Sequence, residues 1–163
     1  MEKKDLPFTI DLKDKVVVIT GAGGVICSCL AKAIALCGAK VALLDYKLEN
    51  AQKFADEINA NGGKAIALQA NVLKKDMLEE CHQEILKQLG PVDILINGAG
   101  GNNQLATTDN EFAELDDDMK SMKTFFNLDV SGFEYVFNLN LIGTLLPTQV
   151  FASDMMGRKD CSI

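Results

Sequence analysis

Residues 16–25, VVVITGAGGV, restrict the fold more than any other stretch of the chain. Val16, Val17, Val18 and Ile19 form a run of β-branched side chains, and Gly21, Gly23 and Gly24 then fall within four positions. Residues 27–38 behind them read as a helix, with Leu30, Ala31, Ile34 and Ala35 on one inward stripe. A strand, a glycine turn and a helix in that order make the first half of a nucleotide-binding crossover. Glycine lets the backbone approach a pyrophosphate closely, and the unpaired amides of a helix N-terminus can hold it. Tight strand-to-helix turns also need glycine for backbone reasons alone, so the rest of the chain has to decide.

It decides by alternation. Residues 40–45 form an apolar strand ending in Asp45, and residues 49–61 a helix with Ala51, Phe54, Ala55 and Ile58 at helical spacing. Gly62 and Gly63 end that helix. Strand 65–70, helix 75–89 and strand 92–96 follow, with Gly90-Pro91 as the break before the last. Leu78, Ile85 and Leu89 point inward from the third helix. Strands apolar on both faces, separated by helices of about a dozen residues, predict an α/β fold with a parallel sheet covered on two sides. The expected order is 3-2-1-4, doubly wound and Rossmann-like, with a fifth strand starting at Cys161-Ser162-Ile163 and the sheet incomplete at its C-terminal end.

Residues 1–11 read as a tail, with Leu6, Phe8 and Ile10 alternating, and 12–163 as part of one domain with an acidic insertion at about 102–128. Between Asp109 and Asp118 six of ten residues are acidic, which reads as a solvated insertion or a short polar helix. Adjacent carboxylates such as Asp116, Asp117 and Asp118 point in different directions on a helix and make a poor metal site, so no metal is expected. Residues 133–156 read as one long helix with a kink or break near Gly143 and Pro147. His82, the only histidine, reads as a solvated or half-buried helix residue. Cys27 has two readings: a thiol of lowered pKa at a helix N-terminus, or packing filler.

Composition narrows the partners. A net charge of −7 disfavours nucleic acid, while leaving a dinucleotide held by backbone amides open. Five cysteines without framework spacing suggest reduced thiols. No apolar run reaches membrane-spanning length and no signal core follows Met1, so a cytoplasmic protein is expected.

Taken together, Thr20-Gly21 with the glycine cluster, Asp45, Asn97-Gly98-Ala99-Gly100, and Asn140 followed by Gly143 resemble the short-chain dehydrogenases/reductases. The likeness runs from about Leu12 to Ile163. Residues 20–31 and 143–151 are most similar to sugar-acid oxidoreductases of the D-mannonate/fructuronate type. The resemblance implies that Gly21, Gly23, Gly24, Val25 and Ile26 hold the cofactor's phosphates. Val25 and Cys27 stand where the family pattern has its second and third glycines, and Gly24, one place earlier, takes over the turn. Asp45 matches the acid that receives the adenosine ribose hydroxyls. A carboxylate accepts from both hydroxyls and repels a 2′-phosphate, which favours NAD over NADP. Asn71 and Val72 match the pair at the adenine edge, where Asn stands in place of the usual Asp. Asn97, Gly98, Ala99 and Gly100 match the Asn-Asn-Ala-Gly segment beside the cofactor's ribose, with Gly98 replacing the second Asn. Asn140 matches the asparagine that holds a helix kink and an ordered water in a proton relay.

The family's remaining catalytic groups, a Ser after strand five and a Tyr-x-x-x-Lys beyond it, would lie past Ile163. Neither Tyr46 nor Tyr135 has a Lys four residues on. Residues 1–163 are therefore expected to supply the cofactor-binding half of an oxidoreductase acting on a small molecule, without turnover of their own. The resemblance also implies a homo-oligomer formed through the helix around 133–156. The alternative is a non-catalytic nucleotide-binding or structural protein truly ending at residue 163.

Overall fold

The computed structural model describes residues 3–5, 10–112, 114 and 120–163. The expectations for Leu6, Phe8 and the acidic run Asp116 to Asp118 lie outside the described residues. Four strands, β1 (Val16–Thr20), β2 (Lys40–Asp45), β3 (Lys64–Gln69) and β4 (Ile94–Asn97), form one parallel sheet in the order β3-β2-β1-β4. Val17 pairs with Val41 on one side and Ile94 on the other, so β1 is the central strand. All five of its residues are buried, as its unbroken apolar run requires.

The pleat of β1 sends Val17 and Ile19 to one face and Val16 and Val18 to the other. The first face is covered by α1 (Val25–Leu36) and α2 (Leu48–Ala60), through Cys27, Ala31, Ala51, Ala55 and Ile58. The second is covered by α3 (Lys75–Gln88) and by α5 (Gly143–Phe151), through Leu78, Ile85, Val150 and Phe151. Leu30 departs from expectation. It is 40% exposed, because α1's buried stripe is centred on Ala31, with Cys27 and Ser28 one turn back. Small side chains on that stripe let the helix lie close to the sheet.

The long helix predicted for 133–156 begins earlier and is divided. It comprises α4 (Val130–Phe137), a π-helical turn (Asn138–Ile142) and then α5. The irregular turn comes just before the predicted kink region, and Pro147 sits inside regular α5. A π-turn widens the helix by one residue and re-aims the side chains around it. Here it directs Asn140 out of the helix toward Gly101.

The C-terminal residues are moored at the amino end of β4. His82 is buried, and its Nε2 lies 2.9 Å from Asp154, whose carboxylate also accepts the Val92 amide at 2.8 Å. Arg158 donates to the Val92 carbonyl and to Asp93, while Asp93 accepts the Val16 amide. Ser162 then bridges to Ile94 in parallel, the place expected for the start of a fifth strand.

Candidate functional site

The chain runs from β1 outward through β2 to β3, then returns to place β4 on the other side of β1. Connections leaving the carboxyl ends of β1 and β4 therefore diverge, and a crevice opens between them. It is a cavity of about 730 Å³ lined by residues from all four strand ends. Nine of the thirteen sequence-derived site residues line it: Gly21, Gly23, Gly24, Asp45, Asn71, Val72, Gly98, Ala99 and Gly100.

Each is held there for a local reason. Gly21 has φ +65°, and a Cβ on it would lie 2.9 Å from both the Ala99 Cα and the Gly98 carbonyl. Only glycine allows β1 to turn this close to the loop after β4. Gly23 donates its amide to Asp45 Oδ2 at 2.8 Å, and Lys47 donates to Oδ1 at 3.0 Å. The carboxylate at the end of β2 is thus locked in orientation while each oxygen keeps acceptor capacity for a ligand hydroxyl. Gly24 is the N-cap of α1 and supplies no side-chain acceptor to it, which leaves the first-turn amides to a ligand. Asn71 is fixed by a local turn, its Oδ1 accepting the Leu73 amide at 2.9 Å.

The other four sit beside the cavity. Val25 and Ile26 are 83% and 75% exposed at the start of α1 and do not line the cavity. Asn97 lies behind it and donates to Thr148 Oγ1 at 3.1 Å. Asn140 stands behind the loop that follows β4. Its Oδ1 accepts the Gly101 amide at 3.0 Å, and its Nδ2 donates to the carbonyls of Gly101 at 2.7 Å and Val136 at 2.9 Å. It orients the loop and makes no contact with the cavity itself.

Six lining residues carried no sequence signal: Tyr46, Asn50, Ala70, Leu73, Tyr135 and Leu139. Tyr46, Ala70 and Leu73 adjoin recognised positions, and adjacency was the available clue. Tyr135 and Leu139 reach the cavity because α4 and the π-turn pass its rim, which is a matter of packing.

The reading of Cys27 as a thiol of lowered pKa is corrected. Burial pushes the thiol up, and the nearby Asp45 carboxylate adds to the effect, so Cys27 is neutral packing. A Cβ on Gly98 would collide with the Cys27 sulfur. Cys27 and Gly98, two of the positions at which the sequence departs from the family pattern, are therefore neighbours in space.

Residues 15–163 match the short chain dehydrogenase family. An uncharacterized oxidoreductase of Haemophilus influenzae is 54% identical over 153 residues, covering 94% of this chain and 53% of that protein. The uncharacterized oxidoreductase UxuB of Bacillus subtilis is 43% identical, covering 93% and 53%. The chain thus spans about half the length of these curated relatives. A crystal structure of a proposed D-mannonate oxidoreductase from Haemophilus, with bound NAD, superposes with a TM-score of 0.89 at 54% identity, over 93% of this chain and 54% of that one. A short-chain type dehydrogenase/reductase of Mycobacterium marinum superposes at 0.73 with 27% identity, over 89% and 51%. With the crevice built at the switch point of the sheet and the match running across all of its walls, the chain belongs to the short-chain dehydrogenase family.

Proposed function

We propose that this chain is the NAD-binding half of an oxidoreductase whose substrate is a sugar acid or a related carbonyl or hydroxyl compound. Residues 12–163 are read as the N-terminal part of one dinucleotide-binding domain, with 102–128 as an insertion. The observation that carries the proposal is Asp45, fixed by the Gly23 and Lys47 amides at the rim of the crevice. The residues present fit a dinucleotide: a glycine turn without side chains, free first-turn amides on α1, and a carboxylate at the end of β2 where a ribose would lie. NAD, when bound, supplies hydride acceptance or donation. In this reading Gly21, Gly23, Gly24, Val25 and Ile26 hold its phosphates through backbone amides, and Asp45 accepts from the ribose hydroxyls. Asn71 and Val72 border the adenine, Asn97 to Gly100 wall the second ribose, and Asn140 holds that wall in place. The general acid and base belong to residues outside 1–163. The bound NAD and the D-mannonate assignment of the Haemophilus structure, 54% identical to this chain, support cofactor and substrate class alike.

Calorimetric titration of the intact protein with NAD and NADP tests the cofactor. NAD is expected to bind more tightly, and tighter binding of NADP would defeat the assignment of Asp45. Turnover of D-mannonate or fructuronate with NAD or NADH tests the substrate. A protein that binds NAD and oxidises or reduces no such substrate would favour a non-catalytic nucleotide-binding role.

A further inference from the structure

We propose that Cys27 is a positioning residue for the crevice, its sulfur setting the height of the 98–101 loop above the first turn of α1. The proposal rests on the dinucleotide reading above and adds a residue to it.

Three backbone segments meet beneath the crevice. The first is the end of β1, where Thr20 Oγ1 accepts the amides of Gly98 and Ala99, each at 3.1 Å. The second is the first turn of α1, which carries Cys27. The third is the 98–101 loop itself, held at its far end by Asn140. Thr20 and Asn140 fix the two ends of the loop through directional hydrogen bonds. Between them Gly98 turns one side to the crevice and the other to Cys27, whose sulfur is the atom nearest to where a side chain would begin. Cys27 is only 8% exposed, so this contact is part of the packed interior.

Close packing makes that spacing sensitive to single atoms. A smaller residue at 27 leaves a void into which the loop can sink, and a larger one lifts the loop into the cavity. A dinucleotide must touch the amides of α1 and the loop after β4 at the same time. The distance between those two surfaces is therefore a binding parameter, and the Cys27–Gly98 contact sets it.

A double-mutant cycle in the intact protein tests this, using Cys27→Ala, Gly98→Ala and the pair, with NADH affinity by calorimetry and the thermal midpoint of the apoprotein. The contact of a new Cβ with the Thr20 carbonyl, 2.8 Å away, is common to both backgrounds and cancels in the cycle. Gly98→Ala is expected to weaken NADH about tenfold beside the native Cys27, but no more than about threefold in the Cys27→Ala background. Equal losses in both backgrounds would overturn the proposal, as would coupling confined to the thermal midpoint with NADH affinity unmoved. If Gly98→Ala does not fold, the series Cys27→Ser, Cys27→Ala and Cys27→Val carries the test. Serine, which keeps a smaller atom at the sulfur's place, is expected to lose the least affinity, and alanine and valine each to lose about three- to tenfold. The same affinity across the series would overturn the idea. A folded protein that binds no NADH defeats the dinucleotide reading itself, whereas an additive cycle in a protein that binds defeats only the role of Cys27.

Discussion

Asp45 shows how much one side chain can be asked to do in this crevice. Its two oxygens receive backbone amides from Gly23 and Lys47, which leaves it oriented at the wall of the cavity. Replacing Asp45 by Ala in the intact protein is expected to weaken NAD about tenfold, the worth of one charge-assisted hydrogen bond. NADP should change far less, so the gap between the two narrows; competitive titration would show it, and an unchanged ratio would contradict the role. Buried thiols lead to a pH dependence. Burial raises the Cys27 thiol and pushes Cys81 up from an ordinary value of 9.0 to about 11. A raised folded-state value means that the native protein holds the proton more tightly than the unfolded chain does. The stabilisation is complete below the ordinary thiol value and is lost as pH rises through the folded one. Under reducing conditions the thermal midpoint should therefore fall between pH 9 and about 11, and Cys81→Ala should flatten that fall. Both thiols should also react with iodoacetamide more slowly than exposed Cys29.

At the scale of elements, the π-turn between α4 and α5 joins the helix to the wall of the crevice. Asn140 reaches Gly101 through both atoms of its amide because that turn aims it outward. Asn140→Ala removes these bonds at an exposed position, so the stability loss should be modest, about 1 kcal/mol by denaturant titration. The larger effect should be local, with faster hydrogen exchange at the Gly101 amide while the amides of β1 stay protected. Exchange unchanged at Gly101 would show that Asn140 does not hold the loop. The Gly21 turn is the opposite case, where sterics leave no slack. Gly21→Ala places a Cβ at positive φ against the Ala99 backbone, and an equilibrium destabilisation of at least about 2 kcal/mol is expected.

For the whole molecule, the distribution of apolar surface sets the expectation. Phe133, Phe137, Leu141 and Leu145 are exposed along α4, the π-turn and α5. Burying such side chains contributes about 1.5–3 kcal/mol each, against a net domain stability of about 5–15 kcal/mol. The isolated 163-residue chain should therefore self-associate or be partly unfolded, while the intact protein should be a stable oligomer. Light scattering coupled to size-exclusion chromatography measures both. A monodisperse monomer with a cooperative thermal transition would argue that the chain needs no partner surface.

Local patterns were enough for much of this protein. The β-branched run of β1, the glycines after it and the acid ending β2 are each encoded within a few residues. Backbone sterics and hydrophobic period act at that range, so the alternation behind the sheet order was legible there, while the likeness to the family supplied Asn71, Val72 and Gly98 to Gly100 among the nine cavity-lining residues. Contacts between distant segments were not. Leu30 faces outward because packing chose a stripe of small residues, and Tyr135 and Leu139 reach the crevice because a π-turn carries them past it. Cys27 packs as a neutral thiol because burial raises it, in a space that Gly98, far along the chain, leaves for its sulfur. Such pairings depend on how helices settle on the sheet, a long-range balance of volume and hydrogen bonds that no local period encodes.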